Sequence, residues 1–210
     1  MSPAVVHLLR HGEVHNPAGM LYGRLPGFQL SELGERQAQA AADWLARRDI
    51  AYLASSPLER AQQTAAPLAA ATGLEVTIDE RLIEADNRLQ GRPVAGGKGL
   101  FSDPSLWKYY VNPFKPSWGE PYEQVARRVL EAARAAAVGA DEREAVCVSH
   151  QLPIVCAARE ARGQHLAHDP RRRRCSLASV TSLTFDEDVI VRVDYAEPAA
   201  GLPAGRGAGA

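Results

Sequence analysis

Apolar residues along the chain follow two different spacings. Short apolar runs of the kind that form buried strands occur at residues 4–9, 50–55, 75–79 and 145–149. Longer segments, in which apolar residues recur every three or four positions, predict helices at residues 31–47, after Ser56, at 122–138 and at 151–162. A terminal hairpin is predicted at residues 177–185 and 189–194. Strands that alternate with helices predict an α/β domain with a mainly parallel sheet covered on both faces.

Two of the predicted helices have recognisable start signals. Ser31 is a typical N-cap residue for the first helix. Ser56 is predicted to cap the second helix, with Pro57 at the first helical position and Glu59 completing a capping box. This assignment places Arg60 in the first helical turn, close to free backbone N–H groups that attract anions.

Two segments lack both spacings. Residues 80–120 contain many glycines and prolines together with a group of aromatic residues, which predicts a packed lid instead of a flexible linker. Residues 197–210 are mostly Ala, Gly and Pro, and we predict that they are disordered. The sequence therefore predicts one domain over residues 1–196, followed by a short tail.

Composition narrows the class of protein only a little. A chain of 210 residues with 46% hydrophobic residues fits one globular domain. The formal net charge of −1 gives no indication of a nucleic-acid or membrane surface. No apolar stretch reaches the ~18–20 residues that a membrane span needs. Cys147, Cys156 and Cys175 form no Cys-x-x-Cys pair, which favours inert thiols in a reducing compartment over a disulfide framework or zinc ribbon. We expect a cytoplasmic protein.

Three predicted strands end in side chains suited to phosphate chemistry. The first ends in Arg10 and His11, the second runs into the segment that carries Arg60, and the fourth ends at His150. Because ligands of open α/β sheets bind outside the carboxyl ends of the strands, we expect these side chains to share one site. Arginine grips a phosphate through a charged planar fork, and a neutral imidazole can attack phosphorus. Gly12 leaves room for the backbone to turn and for close approach.

Other basic residues are given less specific roles. His7 lies inside the first strand, which favours a structural role, and His165 and His168 are predicted to be solvated. The run at 171–174, four consecutive arginines, is typical of a solvated surface. Its alternative role is to extend a site for a polyanionic substrate.

Several ordered segments match the signatures of one known family. They are Arg10-His11-Gly12-Glu13, residues 30–38, residues 55–65, Arg81-Leu82-Ile83-Glu84, Gly119-Glu120-Pro121-Tyr122 and Val148-Ser149-His150. Through these motifs the chain resembles the histidine phosphatase superfamily, or phosphoglycerate mutase-like family, over residues 4 to about 194. The resemblance implies a three-layer α/β/α sandwich with an antiparallel edge strand. It also implies catalysis without a metal or other cofactor.

The resemblance further implies roles for individual residues. His11 is the nucleophile that becomes phosphorylated, and Glu84 is the proton donor to the leaving group. Arg10, Arg60 and His150 bind the phosphoryl oxygens. The substrate implied by these roles is a small phosphorylated metabolite.

The resemblance also suggests further substrate contacts. At some positions the chain departs from the family pattern. Asn16 is a candidate phosphate ligand, although it lies one residue earlier than the family's asparagine, and Tyr22 and Gly23 are candidate substrate contacts. Gln151 stands where a glycine is common, and residues 85–91 differ from the family's usual segment. The long substrate-binding insertion of true phosphoglycerate mutases has no clear counterpart.

The chemistry sets requirements on protonation. His11 must attack as a neutral ring, with its other nitrogen donating to a fixed acceptor, which we expect to be a backbone carbonyl. His150 is expected to act as a cation, so the pKa values of the two rings should be pushed apart. Glu84 should begin protonated in order to supply a proton to the leaving oxygen.

Four functions remain open from the sequence. The leading one is a metal-independent phosphatase that acts on a small phosphomonoester, because the chain is compact and lacks the mutase insertion. The alternatives are a phosphoglycerate mutase, a non-catalytic phosphate-binding protein, and a phosphatase for phosphohistidine on a partner protein. The terminal strand could also pair between two chains and form a homodimer.

Overall fold

A computed structural model of the protein describes residues 4–92 and 119–203. Within these ranges six strands form one sheet: β1 (Ala4–Arg10), β2 (Ile50–Ser55), β3 (Thr77–Ile78), β4 (Glu144–Ser149), β5 (Val180–Asp186) and β6 (Val189–Ala196). The helices are α1 (Glu32–Leu45), α2 (Glu59–Thr72), α3 (Tyr122–Gly139) and α4 (Gln151–Ala161). Two short 3₁₀ turns cover Glu80–Leu82 and Pro170–Arg172.

The sheet has the order β3-β2-β4-β1-β5-β6. Its first four strands run parallel, whereas β5 is antiparallel to β1 and β6 is antiparallel to β5. The prediction of a mainly parallel sheet with an antiparallel edge is therefore confirmed. The predicted terminal hairpin is the β5–β6 pair at that edge.

Helices cover both faces of the sheet, as the alternating pattern predicted. Along β1, Val6 and Leu8 pack in one apolar cluster with residues of α3 and α4. Leu9 belongs to a second cluster that contains residues of α1 and α2. Successive residues of a strand point to opposite faces, so one strand contributes to two cores. The result is the three-layer α/β/α sandwich.

Two glycines allow α1 to lie directly against the end of β1. A Cβ atom on Gly12 would lie 2.4 Å from the carbonyl oxygen of Gly34, and one on Gly34 would lie 2.0 Å from that of Glu13. The contact is closed by hydrogen bonds from the backbone N–H and the hydroxyl of Ser31 to Glu13. Ser31 caps α1 as predicted, since its hydroxyl accepts from the Gly34 N–H.

The predicted start of α2 is wrong by two residues. The helix begins at Glu59, with Leu58 in the N-cap position and no side-chain cap hydrogen bond. The Ser56 hydroxyl is instead engaged with His150, at 2.8 Å from Nε2. Arg60 still falls in the first turn, as the sequence predicted.

The structure describes the chain as far as Pro203. Residues 197–203 form turns, Glu197 accepts hydrogen bonds from Ser176 and Tyr195, and Ala199 packs against the core, whereas the sequence predicted disorder from Glu197 onward. Residues 204–210 lie outside the described residues. The predicted aromatic lid lies outside them as well, from residue 93 to residue 118.

Candidate active site

The carboxyl ends of β1 and β4 bring two histidines together. Arg10 and Ser149 are level in the parallel register, and the His11 N–H donates to the Ser149 carbonyl at 3.1 Å. The rings of His11 and His150 consequently lie side by side, with centroids 5.1 Å apart and planes tilted by 58°. Both side chains are buried, and so are the other side chains predicted to be catalytic: Arg10, Arg60 and Glu84.

The His11 ring is held by its own segment. Nδ1 lies 2.8 Å from the Gly12 carbonyl oxygen, which is the backbone acceptor that the sequence led us to expect. Burial, followed by the positive charges of Arg60 and Arg10, holds the pKa of His11 well below its ordinary value. The ring is therefore neutral, Nδ1 carries the proton, and Nε2 has a free lone pair.

The His150 ring is held by a serine. Its Nε2 lies 2.8 Å from the Ser56 hydroxyl. Burial and then the charge of Arg60 keep the pKa of His150 well below its ordinary value, in the same direction as for His11. The cationic form of His150 that the sequence led us to expect is thus not favoured by these surroundings, because both rings are buried beside the same arginines.

Each arginine is anchored by one backbone carbonyl. Arg10 donates through Nη1 to Cys175 at 2.7 Å, and Arg60 donates through Nη2 to Gly23 at 2.7 Å. The Arg60 guanidinium also lies over the Tyr22 ring, 4.7 Å from its centroid. These contacts fix the orientation of both cations and leave other N–H groups free.

Glu84 is positioned by the segment that follows β3. The Ser149 hydroxyl donates to the Leu82 carbonyl at 2.7 Å, and the Arg24 Nε donates to the Glu84 carbonyl at 2.7 Å. The Glu84 carboxyl accepts a hydrogen bond from the Ala85 N–H on Oε1. Burial raises the pKa of this carboxyl, which favours the protonated form that a proton donor needs.

The predicted catalytic residues share one further property. Within residues 4–92 and 119–203, six buried side-chain nitrogen and oxygen atoms have no hydrogen-bond partner. They are Arg10 Nε and Nη2, His11 Nε2, Arg60 Nε, Glu84 Oε2 and His150 Nδ1. Buried polar atoms without partners are costly and uncommon. Their confinement to these five residues indicates a site prepared for a ligand that accepts several hydrogen bonds.

Three candidate substrate contacts have more local roles in the described geometry. The Asn16 side-chain amide donates to and accepts from the Met20 backbone, so it closes a turn and does not belong to the unpaired group. Tyr22 is buried and stacks on Phe28. Gly23, with φ of +44°, supplies the carbonyl that anchors Arg60.

Sequence reasoning missed three residues that hold the site in place. Ser56 contacts His150, and the Cys175 carbonyl orients Arg10. The Thr64 hydroxyl accepts from the Gly12 N–H and donates to the Arg60 carbonyl, which ties α2 to the end of β1. Thr64 lies one helical turn after Arg60, and this spacing was the only local signal for its role.

For the histidines and arginines outside the site, some of the predicted structural roles are confirmed and others are wrong. His7 is structural, as predicted, since it is buried between Ser182 and Glu144. The prediction that His168 is solvated is wrong, because it is half-buried and accepts a hydrogen bond from Arg173 at 2.9 Å. Arg173 is the half-buried member of a run whose other arginines are exposed.

The part of the chain that the structure describes offers neither a metal site nor a membrane-spanning helix. There, no group of three or more His, Cys, Asp and Glu side chains is arranged to hold a metal ion. No helix in this part is long and apolar enough to cross a membrane.

Comparisons with known proteins agree with this geometry. A profile of the histidine phosphatase superfamily (branch 1) matches residues 6–197. Uncharacterized protein Rv0525 of Mycobacterium tuberculosis is 55% identical over 195 residues, which span 93% of this chain and 96% of the relative. Probable phosphoglycerate mutase GpmB of Yersinia pestis is 32% identical over 183 residues, or 83% of each chain.

A solved structure gives the same result. The mycobacterial glucosyl-3-phosphoglycerate phosphatase Rv2419c, complexed with VO3, superimposes with a TM-score of 0.74 and is 28% identical. The match covers 92% of this chain and 98% of that one. The match of the family profile to most of the chain, together with these relatives, shows that the protein belongs to the histidine phosphatase superfamily.

Proposed function

We propose that the protein is a phosphatase that hydrolyses a small phosphomonoester through a phosphohistidine on His11, using side chains alone. The observation that carries the proposal is the set of six unpaired buried atoms described above. Arginine and histidine N–H groups in this set are donors for phosphoryl oxygens, and His11 Nε2 is a nucleophile. Glu84 Oε2 is a proton-carrying group in the same set.

The first step transfers the phosphoryl group to the enzyme. His11 Nε2 forms a bond to phosphorus while the bond from phosphorus to the ester oxygen breaks. Glu84 gives its proton to the departing oxygen, so the alcohol leaves neutral. Arg10 and Arg60 stabilise the charge that spreads over the three remaining oxygens in the transition state.

The second step returns the enzyme to its starting state. Glu84, now ionised, accepts a proton from water as the water oxygen attacks phosphorus. The bond between His11 Nε2 and phosphorus breaks, and inorganic phosphate leaves. Glu84 is then protonated again, which its raised pKa favours.

His150 changes its role when an anion is bound. A phosphate dianion beside the ring favours the protonated form and opposes the effect of burial on its pKa. The proton is then placed on Nδ1, the unpaired nitrogen, because Nε2 already faces Ser56. His150 would thus act as a further donor to the phosphoryl oxygens.

A mutase is the second candidate. The 32% identity to GpmB supports it, whereas the 28% identity to a glucosyl-3-phosphoglycerate phosphatase supports hydrolysis. A mutase must protect the phosphohistidine from water until the bound substrate has reoriented. A phosphatase must allow water to reach the phosphohistidine. The compact chain, without a clear counterpart of the mutase insertion, favours a site that admits water.

The test is a hydrolysis screen over p-nitrophenyl phosphate and small phosphometabolites, with a coupled phosphoglycerate mutase assay run in parallel. We expect hydrolysis by the wild type, loss of it in His11→Ala, and retention of it in His15→Ala, a control in an exposed loop. Mutase turnover that exceeds hydrolysis would favour the second candidate. Tight phosphate binding without turnover of any ester would contradict both.

A further inference from the structure

Arg173 differs from the other arginines of its run. Arg171 is exposed and pairs with Asp169 at 3.1 Å, and Arg174 lies over the Tyr195 ring. Arg173 is the half-buried one of four consecutive arginines, and no carboxylate among residues 4–92 and 119–203 forms an ion pair with it.

Neutral side chains fix the Arg173 guanidinium. Its Nε donates to His168 Nε2 at 2.9 Å, and its Nη1 lies 3.5 Å from the Gln151 side-chain oxygen. The His168 ring is itself held, with Nδ1 against the Leu166 carbonyl and its face against Tyr122. An arginine orders its long side chain at an entropic cost. Here that order is achieved without neutralising the charge, which leaves the cation available to a ligand.

A chain of contacts joins Arg173 to the catalytic centre. Gln151 directly follows His150 and donates to the Cys175 carbonyl at 3.3 Å. The same carbonyl accepts from Arg10 at 2.7 Å. Arg10, Gln151, Arg173 and Cys175 all line one cavity of about 360 Å³, a volume typical of small-molecule sites. Arg173 therefore faces the same space as Arg10, the arginine for which we propose a phosphate-binding role, and Glu197 is the carboxylate that also lines this space.

The Arg173 charge also acts on Glu84, the proposed proton donor. Burial raises the pKa of Glu84, and the positive charges of Arg60 and Arg173 oppose that rise. The Arg173 charge thus acts on the proton donor, although its guanidinium contacts the neutral side chains of His168, Gln151 and Tyr122.

We infer that Arg173 binds a second anionic group of the substrate, so that the enzyme acts on phosphomonoesters that also carry a carboxylate or a second phosphate. Gln151 and His168 are the positioning residues that hold its guanidinium towards the cavity. The inference rests on the proposed function, because it assigns the substrate class of the same site. It explains why glutamine follows His150 in this chain, since Gln151 links the two arginines through the Cys175 carbonyl.

The experiment compares matched pairs of ligands as competitors of p-nitrophenyl phosphate. 3-Phosphoglycerate and glycerol 3-phosphate differ by a carboxylate, and fructose 1,6-bisphosphate and fructose 6-phosphate differ by a phosphate. Inhibition constants are measured for the wild type, Arg173→Gln and Arg171→Gln. The last variant is a matched control because it removes the same charge from an exposed position in the same run. If the more acidic member binds more tightly in only one pair, that pair shows whether the second group is a carboxylate or a phosphate.

We expect the wild type to bind the more acidic member of at least one pair about tenfold more tightly, since a charge-assisted hydrogen bond is worth roughly that factor. Arg173→Gln should remove this preference, Arg173→Lys should retain part of it, and Arg171→Gln should retain all of it. Equal binding within both pairs by the wild type, or an undiminished preference in Arg173→Gln, would overturn the inference.

A failure of the proposed function can be distinguished from a failure of this inference. If the wild type does not hydrolyse p-nitrophenyl phosphate, the function is wrong, and the same ligand pairs are then measured by titration calorimetry. A preference that depends on Arg173 in calorimetry would still support the anion subsite. Equal dissociation constants for both members of each pair would overturn it.

Discussion

The unpaired nitrogens of His11 and His150 belong to two rings whose centroids are 5.1 Å apart. This relationship follows from the parallel register of β1 and β4, which sets Arg10 level with Ser149 and each histidine one residue beyond. Each ring is oriented through its other nitrogen, by the Gly12 carbonyl in one case and the Ser56 hydroxyl in the other. Both rings are thus oriented before substrate binds, which lowers the cost of reaching the transition state.

Ser56→Ala should slow turnover about tenfold while the protein remains folded. The substitution removes the hydroxyl that lies 2.8 Å from His150 Nε2, so the ring loses its fixed orientation and the proton on Nδ1 is no longer assured. Steady-state kinetics with p-nitrophenyl phosphate measures the effect. Ser55→Ala is the matched control, because Ser55 is equally buried but donates to the Ser56 carbonyl. An equal loss in both variants would contradict a specific role for Ser56.

Glu84→Gln should separate the two chemical steps. With p-nitrophenyl phosphate the leaving group needs little help from an acid, so phosphorylation continues. Hydrolysis of the phosphohistidine lacks its base, and the phosphoenzyme should accumulate. Rapid-quench measurement of the initial burst against the steady-state rate tests this. Glu80→Gln, in an exposed position four residues earlier, should show neither effect.

The same substitution should change how stability depends on pH. Burial raises the pKa of Glu84 in the folded protein above its unfolded value. The folded state therefore holds the proton more strongly, and this contribution to stability is lost as pH rises through the raised pKa. Glu84→Gln removes that loss, so its free energy of unfolding should decline less than that of the wild type as pH rises above 4.5, the ordinary carboxyl value. Urea unfolding at several pH values provides the measurement, and an identical decline would contradict it.

His7 should contribute to acid destabilisation. Its burial lowers its pKa, despite the opposing effect of the Glu144 carboxylate 2.6 Å away. The unfolded chain therefore binds a proton first, and stability falls as pH decreases below about 6.5, the ordinary imidazole value. His11 and His150 act in the same direction. His7→Gln should reduce the loss of unfolding free energy between about pH 7.5 and pH 5.5. His15→Gln, an exposed control, should leave that loss unchanged.

Gly34→Ala should destabilise the fold by about 3 kcal/mol and reduce activity. Its new Cβ would lie 2.0 Å from the Glu13 carbonyl oxygen, so α1 must move away from the end of β1 that carries His11. Gly201→Ala is the control, since nothing lies within 4 Å of its new Cβ. Thermal unfolding of the two variants gives the comparison. Equal melting temperatures would contradict the close approach of α1 to β1.

The sequence predicted the elements and four of the five catalytic candidates from local signals. Apolar runs mark β1, β2 and β4, and a reactive polar group follows each run within a few residues. The parallel sheet then converts three separate strand ends into one place. Glu84 could be assigned only through its family motif, because nothing in its own segment indicates a buried carboxyl.

Other features depended on contacts between distant segments. The Ser56-Pro57 pattern satisfies a capping box locally, but His150, 94 residues away, takes the Ser56 hydroxyl in the fold. The sequence of four identical arginines does not indicate which of them is buried, so the burial of Arg173 could not be predicted. The lowered pKa of His150 could not be predicted, because the sequence does not show how deeply the ring is buried.

The central claim is the phosphohistidine on His11, and the most direct measurement is to trap it. Wild type and Glu84→Gln are quenched in alkali during turnover of p-nitrophenyl phosphate, digested, and analysed by mass spectrometry, with His11→Ala as the control. The account predicts an acid-labile, base-stable phosphoryl group on the peptide that contains His11, more abundant in Glu84→Gln and absent from His11→Ala. A phosphoryl group on another residue, or full turnover by His11→Ala, would contradict it.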